Sequence, residues 1–317
     1  MHQRKKEQIL YNYFMKKKYL IVTGGSGFVG TNLIRYLLKS TKYTIISLDN
    51  YSSGSKKNHI KHKRINYLKG DTKNIGRILK IYRKKIKTIF HFGEFSRIYQ
   101  SFKKFNECFE SNSIGSLEVF KFCLANKIKL IYSATSASIG NKGKNKNLSP
   151  YAFSKSKNLE LLENLKKWFG FKYEIIYFYN VYGSNQIKKG EMATVIGIFE
   201  DQYINKKPLT VVKPGSQTRK FTHIDDTIKT CIEAWKQDKC RHYSIFNKKS
   251  YSIVQVAKLF KSEIRLLPKR EGERYASELT KINLNNKVHK RIGKIELGYY
   301  IKNFIKSANN KNRKIIN

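Results

Sequence analysis

The sequence predicts an α/β fold, a doubly wound parallel sheet with helices on both faces. Three observations predict it. Short runs of apolar, β-branched and aromatic residues alternate with helix-like segments through the first half of the chain. The first such run passes directly into a glycine-rich turn and an amphipathic segment. The chain has 317 residues, 40% of them hydrophobic, which is enough to cover a large sheet on both sides.

Tyr19 to Thr23 reads as a buried first strand. It is followed by Gly24-Gly25-Ser26-Gly27-Phe28-Val29-Gly30, where the glycines at 24, 27 and 30 permit a tight turn, close approach of a pyrophosphate, and close packing of helix on strand. A helix through Asn32 to Leu38 would then present its free N–H groups and positive dipole end to the phosphates. This strand–turn–helix context is what gives the glycine pattern its meaning as a Rossmann-type dinucleotide site. The next strand, Tyr43 to Leu48, ends at Asp49. A carboxylate there accepts hydrogen bonds from both ribose hydroxyls and repels a 2′-phosphate, so NAD is expected rather than NADP. A third strand closes at Tyr67 to Asp71, and Asp71 is expected at the adenine amino group. A fourth closes at Thr88 to Gly93; Gly93 is expected to let the cofactor approach the backbone, and His91 to be a packed structural histidine.

The fifth strand, Lys129 to Ser133, ends in the hydroxyl cluster Ser133-Ala134-Thr135-Ser136. Beyond it comes Tyr151-Ala152-Phe153-Ser154-Lys155. On a helix these two end positions share a face, so the phenol and the ammonium can point together into a cleft. The cation favours the phenolate and suits Tyr151 to act as a base, and Pro150 suits the first helical turn.

Charge and cysteine content narrow the function classes. Lys and Arg number 65 against 22 Asp and Glu, a net charge of +43. Such a surface attracts polyanions, but the lysines are scattered through the whole chain among many Asn and Ile residues, as codon bias toward A and T would produce. The four cysteines, Cys108, Cys123, Cys231 and Cys240, lack CxxC spacing and read as inert thiols in a reducing cytoplasm. His59 and His62 have no nearby cysteine or carboxylate, so no metal is expected. No apolar run reaches the roughly 18 residues of a membrane span, and no signal peptide is expected.

In order, the motifs TGGSGFVG, Asp49-Asn50, the HFGE segment, the hydroxyl cluster, YAFSK and Asn180-Val181-Tyr182-Gly183 resemble the extended short-chain dehydrogenase/reductases of the NAD-dependent epimerase/dehydratase family. The likeness covers roughly residues 16–305 and is especially to UDP-glucose 4-epimerases; the chain also resembles ADP-glycero-manno-heptose 6-epimerases. It implies a cofactor set of Gly24, Gly27, Phe28, Gly30, Asp49, Asn50, Asp71, Phe92 and Gly93, joined by Tyr151 and Lys155. It implies Thr135, Tyr151 and Lys155 as catalytic residues. It implies substrate contacts at Asn112, Ser136, Asn180, Arg219, Arg270 and Glu273, the two arginines on the diphosphate or ribose and Glu273 on the nucleoside ribose. Planar guanidinium groups match phosphate oxygens, in agreement.

The same resemblance implies a nucleotide-diphosphate sugar as substrate and a homodimer joined through helices at about 105–126 and 151–169, with Leu117, Val119, Phe120, Leu161 and Leu165 supplying the apolar surface. The expected organisation is an N-terminal extension over 1–14, a mainly NAD-binding domain over 15–180, a mainly substrate-binding portion over 181–305 interleaved with it, and a basic tail over 306–317. One departure bears on the sugar: the loop between Thr135 and Tyr151 is short and basic, through Asn141 to Asn147.

The function expected is epimerisation of a UDP-hexose at C4 by transient oxidation to a keto sugar. Other readings stay open. A 4,6-dehydratase or a decarboxylase is disfavoured because Ser136-Ala137, not an acid pair, follows Thr135. A heptose 6-epimerase would use Lys189 as a second proton carrier. A reading of another class is a nucleic-acid-binding protein on a dehydrogenase fold, suggested by the charge and opposed by the intact Tyr151 and Lys155.

Overall fold

The structure is a computed structural model that describes residues 17–138, 146–269 and 288–316. Six strands in chain order build most of its main sheet: β1 (Tyr19–Thr23), β2 (Thr44–Asp49), β3 (Ile65–Lys69), β4 (Ile86–His91), β5 (Lys129–Thr135) and β6 (Tyr173–Phe178). Two later strands, His242–Phe246 and Val288–Ile292, complete it. Across the sheet the order is Val288–Ile292, His242–Phe246, β6, β5, β4, β1, β2, β3, with every neighbour parallel. The strand order reverses between β1 and β4, and a crevice opens at the carboxyl ends of strands at such a point.

Every residue of β1 and of β2 is buried. These strands are continuous hydrophobic runs because helices cover both faces. Successive side chains of β1 enter different cores, as the two-residue period of a strand requires. Tyr19 and Ile21 join Ile89, Leu130, Tyr132, Phe120 and Leu162 on one face. Leu20 and Val22 join Phe90, Ile131, Leu33, Leu37 and Ile228 on the other. The covering helices are α1 (Phe28–Ser40), α2 (Ser116–Ala125), α3 (Pro150–Phe169) and α4 (Ile224–Lys236).

The chain beyond residue 180 builds a third core from Tyr182, Phe199, Val211, Phe221, Phe260 and Leu297, yet twice returns to the main sheet. One helix, Leu297–Ile316, runs without a break through residue 306, where the tail is expected. Residues 1–14 lie outside the described residues.

Two sequence expectations change here. The helix at about 105–126 is three pieces: Phe105–Phe109, a π-helical turn Glu110–Gly115, and α2. Val119, Phe120 and Leu165, expected on the outer apolar face, are instead buried in the protein's own core; Leu161 is half-buried and Leu117 is 41% exposed. Among the described residues no helix is long and apolar enough to cross a membrane, and no cluster of metal-ligating side chains occurs. All four cysteines are free thiols.

Candidate active site

A cleft of about 510 Å³ lies along the carboxyl ends of the strands and extends into the C-terminal portion. Its floor begins at the turn after β1. Gly24 has φ +66, and a Cβ there would meet Gly93 Cα, Gly93 N and Phe92 O, each at 2.8 Å. A Cβ on Gly93 would in turn meet Gly24 N at 2.8 Å. Gly93 therefore serves a backbone-to-backbone approach between the tips of β1 and β4, a reason the sequence reading did not supply. Helix α1 begins beside them at Gly27, with no side-chain cap and no acidic residue in its first turn. Its orphan N–H groups and positive dipole end are thus left for an anion.

Asp49 also lines the cleft and is 6% exposed. Its Oδ2 accepts from the Ser26 N–H and its Oδ1 from the Tyr51 N–H, both at 2.8 Å. Burial raises its pKa, while those two N–H groups oppose the shift. Each oxygen keeps a second lone pair with which to receive a ribose hydroxyl. The uncapped helix, the buried carboxylate and the glycine approach together fit a dinucleotide. Asn50, Phe92 and Phe28 line the same end.

Asp71 does not join them. Its Oδ1 caps the turn Thr72–Asn74 by accepting from Lys73 N at 2.9 Å, and its Oδ2 accepts from Asn50 Nδ2 at 3.0 Å. Gly70 and Thr72, its neighbours, line the cleft in its place.

At the middle of the cleft stand Thr135, Ser136, Tyr151 and Lys155. Ser149 caps α3 by accepting from Ala152 N at 3.1 Å, and Pro150 occupies the first turn. This start places Tyr151 at the mouth of the helix, where its backbone N–H donates to Ser101 Oγ at 3.3 Å. Lys155 lies one turn deeper and is 3% exposed. Thr135 Oγ1 accepts from Ala137 N at 3.2 Å.

The Lys155 ammonium donates to the Ser133 carbonyl and to a carboxylate that sequence reasoning passed over, Glu94. It also sits 4.3 Å above the Tyr132 ring. Glu94 Oε1 accepts from Ser116 Oγ at 2.8 Å, Tyr132 OH at 2.9 Å and Asn158 Nδ2 at 3.3 Å. Ser116 Oγ is also 3.0 Å from His91 Nε2, and His91 Nδ1 is 2.7 Å from Thr23 Oγ1. Because the Ser116 proton goes to an acceptor-only carboxylate, His91 must donate from Nε2 and accept at Nδ1. Burial lowers the His91 pKa to about 4, so the ring is neutral. His91 is a structural histidine inside a directed chain from Thr23 to Glu94.

Arg97 is a second residue the sequence reading missed. It lines the cleft, donates from Nε to Met192 O at 3.1 Å and from Nη1 to Ser96 O at 2.9 Å, and has no carboxylate partner among the described residues. Burial works against its charge and the nearby Tyr151 works for it.

Asn112 is wholly buried and does not line the cleft. Its Oδ1 accepts from Phe95 N at 2.7 Å, and its Nδ2 donates to Phe95 O at 3.0 Å and Ser154 Oγ at 3.3 Å. Its backbone carbonyl, in the π turn, accepts from Asn158 Nδ2 at 2.6 Å. Asn112 thus anchors Phe95, next to Glu94, from behind.

At the far end, Asn180 lines the cleft and ties down the strand Thr218–Lys220 by donating to Lys220 O at 2.8 Å. That strand brings Arg219, 7% exposed, to the wall beside Gln217. Gln217 is 2% exposed and its Oε1 has no partner among the described residues. It stands just before that strand, two residues from Arg219. Arg270 and Glu273 lie outside the described residues. Lys189 is absent from the cleft lining and pairs with Asp201 at 3.4 Å on the surface.

Comparison with known proteins agrees with this geometry. The profile of the NAD dependent epimerase/dehydratase family matches residues 20–247. A Methanocaldococcus jannaschii protein provisionally named a UDP-glucose 4-epimerase is 26% identical over 93% of this chain and 99% of its own. The ADP-L-glycero-D-manno-heptose-6-epimerase of Brachyspira hyodysenteriae is 31% identical over 66% of this chain and 69% of its own. The crystal structure of a Thermotoga maritima UDP-glucose 4-epimerase with UDP-glucose superposes with a TM-score of 0.77 at 22% identity, covering 94% of this chain and 100% of that one. With the glycine turn, Asp49, Tyr151 and Lys155 gathered on one cleft and the family profile spanning most of the sheet, the chain belongs to the NAD-dependent epimerase/dehydratase family.

Proposed function

We propose that the protein epimerises a UDP-hexose at C4. The observation that carries this reading is the convergence of Tyr151, Lys155, Thr135 and Ser136 on one cleft, with only Ser136 and Ala137 following Thr135. That set suits removal of a sugar hydroxyl's proton while a bound NAD would accept the hydride, and it lacks the acid pair an elimination would need. Glu94 does not replace it, because four donors surround its carboxylate. The position of Lys189 on the surface argues against a second proton carrier there.

In this reading Thr135 and Ser136 hold the reacting hydroxyl, and Tyr151 takes its proton. Lys155 and the glycine turn hold the cofactor. NAD, when bound, supplies the acceptor and later the donor of the hydride. Asn180 and Arg219 keep the diphosphate in place while the sugar turns over. Incubation with a panel of UDP-, GDP- and ADP-sugars, with the products separated, tests the reading. Interconversion of a UDP-hexose with its 4-epimer and no net NAD consumption is expected; solvent hydrogen at the transferred position, or stoichiometric NADH, would overturn it.

The cofactor assignment has its own test. Asp49→Arg removes the ribose acceptor and adds a cation suited to a 2′-phosphate. Fluorescence titration is expected to show weaker NAD and stronger NADP binding, and equal NAD affinities before and after would count against Asp49.

We further propose a homodimer. Phe105, Ile114, Leu117 and Phe153 are 37–52% exposed along the helical layer formed by Phe105–Phe109, the π turn, α2 and α3. Phe109 bridges Phe105 and Phe153, with ring centroids 4.6 and 6.1 Å away. Such a continuous apolar strip suits a second copy of itself. Light scattering at micromolar concentration is expected to give a dimer, and Leu117→Glu combined with Phe153→Glu a monomer.

A further inference from the structure

We propose that Glu94 is a positioning residue of this active site, which holds the Lys155 ammonium against β5 and cancels its charge at Tyr151. The proposal rests on the reading of Tyr151 as proton acceptor and goes beyond it, since that reading takes Lys155 to be the cation that draws off the phenol proton.

Three observations support it. First, both members are sealed: the side chains of Lys155 and Glu94 are 4% and 3% exposed. A charge taken this far from water requires a partner, and the partner here is complete. Second, Glu94 is held from behind. Ser116, Tyr132 and Asn158 all donate to Oε1, which leaves Oε2 for Lys155. Ser116 is itself oriented by His91, and His91 by Thr23. The carboxylate is therefore built into α2, α3, β1, β4 and β5 at once and is not a loosely placed surface acid. Third, two of the three ammonium protons are engaged, by Glu94 and by the Ser133 carbonyl, and the ammonium also lies over the Tyr132 ring, so its position against β5 is fixed. In a chain with 22 acidic residues against 65 basic ones, an acid at this depth is a specific choice.

The consequence is electrostatic. Glu94 and Lys155 form a neutral pair one helical turn from Tyr151, and among the described residues Arg97 is a cation without a carboxylate partner whose charge acts on the phenol. The other titratable groups around the pair do not ionise near neutral pH. His91 is held neutral by a pKa of about 4, the Cys108 thiol is pushed up by burial to about 11, and Tyr132 is raised well above its ordinary value by burial. Burial pushes the Lys155 ammonium below its ordinary value and Glu94 holds it up, so a change in the charge of Glu94 reaches Tyr151 through Lys155.

The test is the pH dependence of kcat for Glu94→Gln and Glu94→Asp. Glutamine keeps an oxygen toward Lys155, and its amide can donate to the Ser116 and Tyr132 hydroxyls, which turn to accept. Removing the negative charge uncovers Lys155 while it is protonated on the acid side and favours the phenolate, so the acid limb is expected to move down by roughly one pH unit, with activity falling earlier on the basic side as the unpaired Lys155 loses its proton and KM little changed. Aspartate keeps the charge and is expected to restore the limb to its wild-type position. Superimposable Gln and wild-type profiles, or equal shifts for Gln and Asp, would overturn the proposal. A crystal structure of the wild-type protein with NAD is a second, variant-free arm. It is expected to keep Glu94 within hydrogen-bond distance of Lys155 Nζ, and a lysine that has left the carboxylate would refute the proposal even if the Gln variant did not fold. Tyr151→Phe serves as control: full activity in that variant would mean that the proton-acceptor reading, and not the role of Glu94, has failed.

Discussion

Tyr151→Phe is expected to lower kcat by roughly two or more powers of ten, the usual contribution of a positioned general base, with little change in substrate affinity. The phenol oxygen is the only atom lost. The ring stays where α3 holds it, because the helix start is set by the Ser149 cap and by the Tyr151 N–H to Ser101, both of which involve the backbone and survive the change. Single-turnover and binding measurements separate the two quantities. Loss of rate at constant affinity is the signature of a group that acts in the transition state. A variant with undiminished turnover would remove Tyr151 from the mechanism.

Gly24→Val is expected to cost about 3 kcal/mol or more and to abolish NAD binding. A β-branched residue is strained at φ +66 before any contact is considered. Its Cβ would then lie 2.8 Å from three backbone atoms of Phe92 and Gly93. Those atoms follow β4, which is paired on one side with β1 and on the other with β5, and they cannot yield as a flexible side chain would. Relieving the clash would part the tips of β1 and β4, the place where the helix N-terminus of α1 meets the cleft. Thermal unfolding and NAD fluorescence report the two effects separately. A variant with unchanged melting temperature and NAD affinity would show that the two strand tips need not approach.

The placement of Asn112 depends on contacts that its sequence context does not show. Its sequence context is helical, and on a regular helix its side chain could face the cleft. Its carbonyl, in the π turn, accepts from Asn158, and its side-chain amide bonds the Phe95 backbone. Asp71 tells the same story at a strand end, where a local turn uses the carboxylate as its cap. Gly93 was legible as a position without a side chain, but the reason, the approach of Gly24, depends on two strands far apart in the chain lying side by side.

What the sequence by itself determined follows from short-range rules. The two-residue and 3.6-residue periods of apolar side chains specify strands and helices and hence the layered fold. The glycine turn lies between adjacent elements, Asp49 ends the next strand, and Tyr151 and Lys155 share a helical face by spacing alone. What only the tertiary structure decided depends on strand order and register. His91 meets Thr23 across 68 positions and Lys155 meets Glu94 across 61. No local pattern encodes which buried donor a carboxylate will find. The parallel pairing of β1, β4 and β5 brings Thr23, His91, Tyr132 and Ser133 to the same end of the sheet, and α2 and α3 then close over Glu94. The charge seen by Tyr151 is therefore a property of packing.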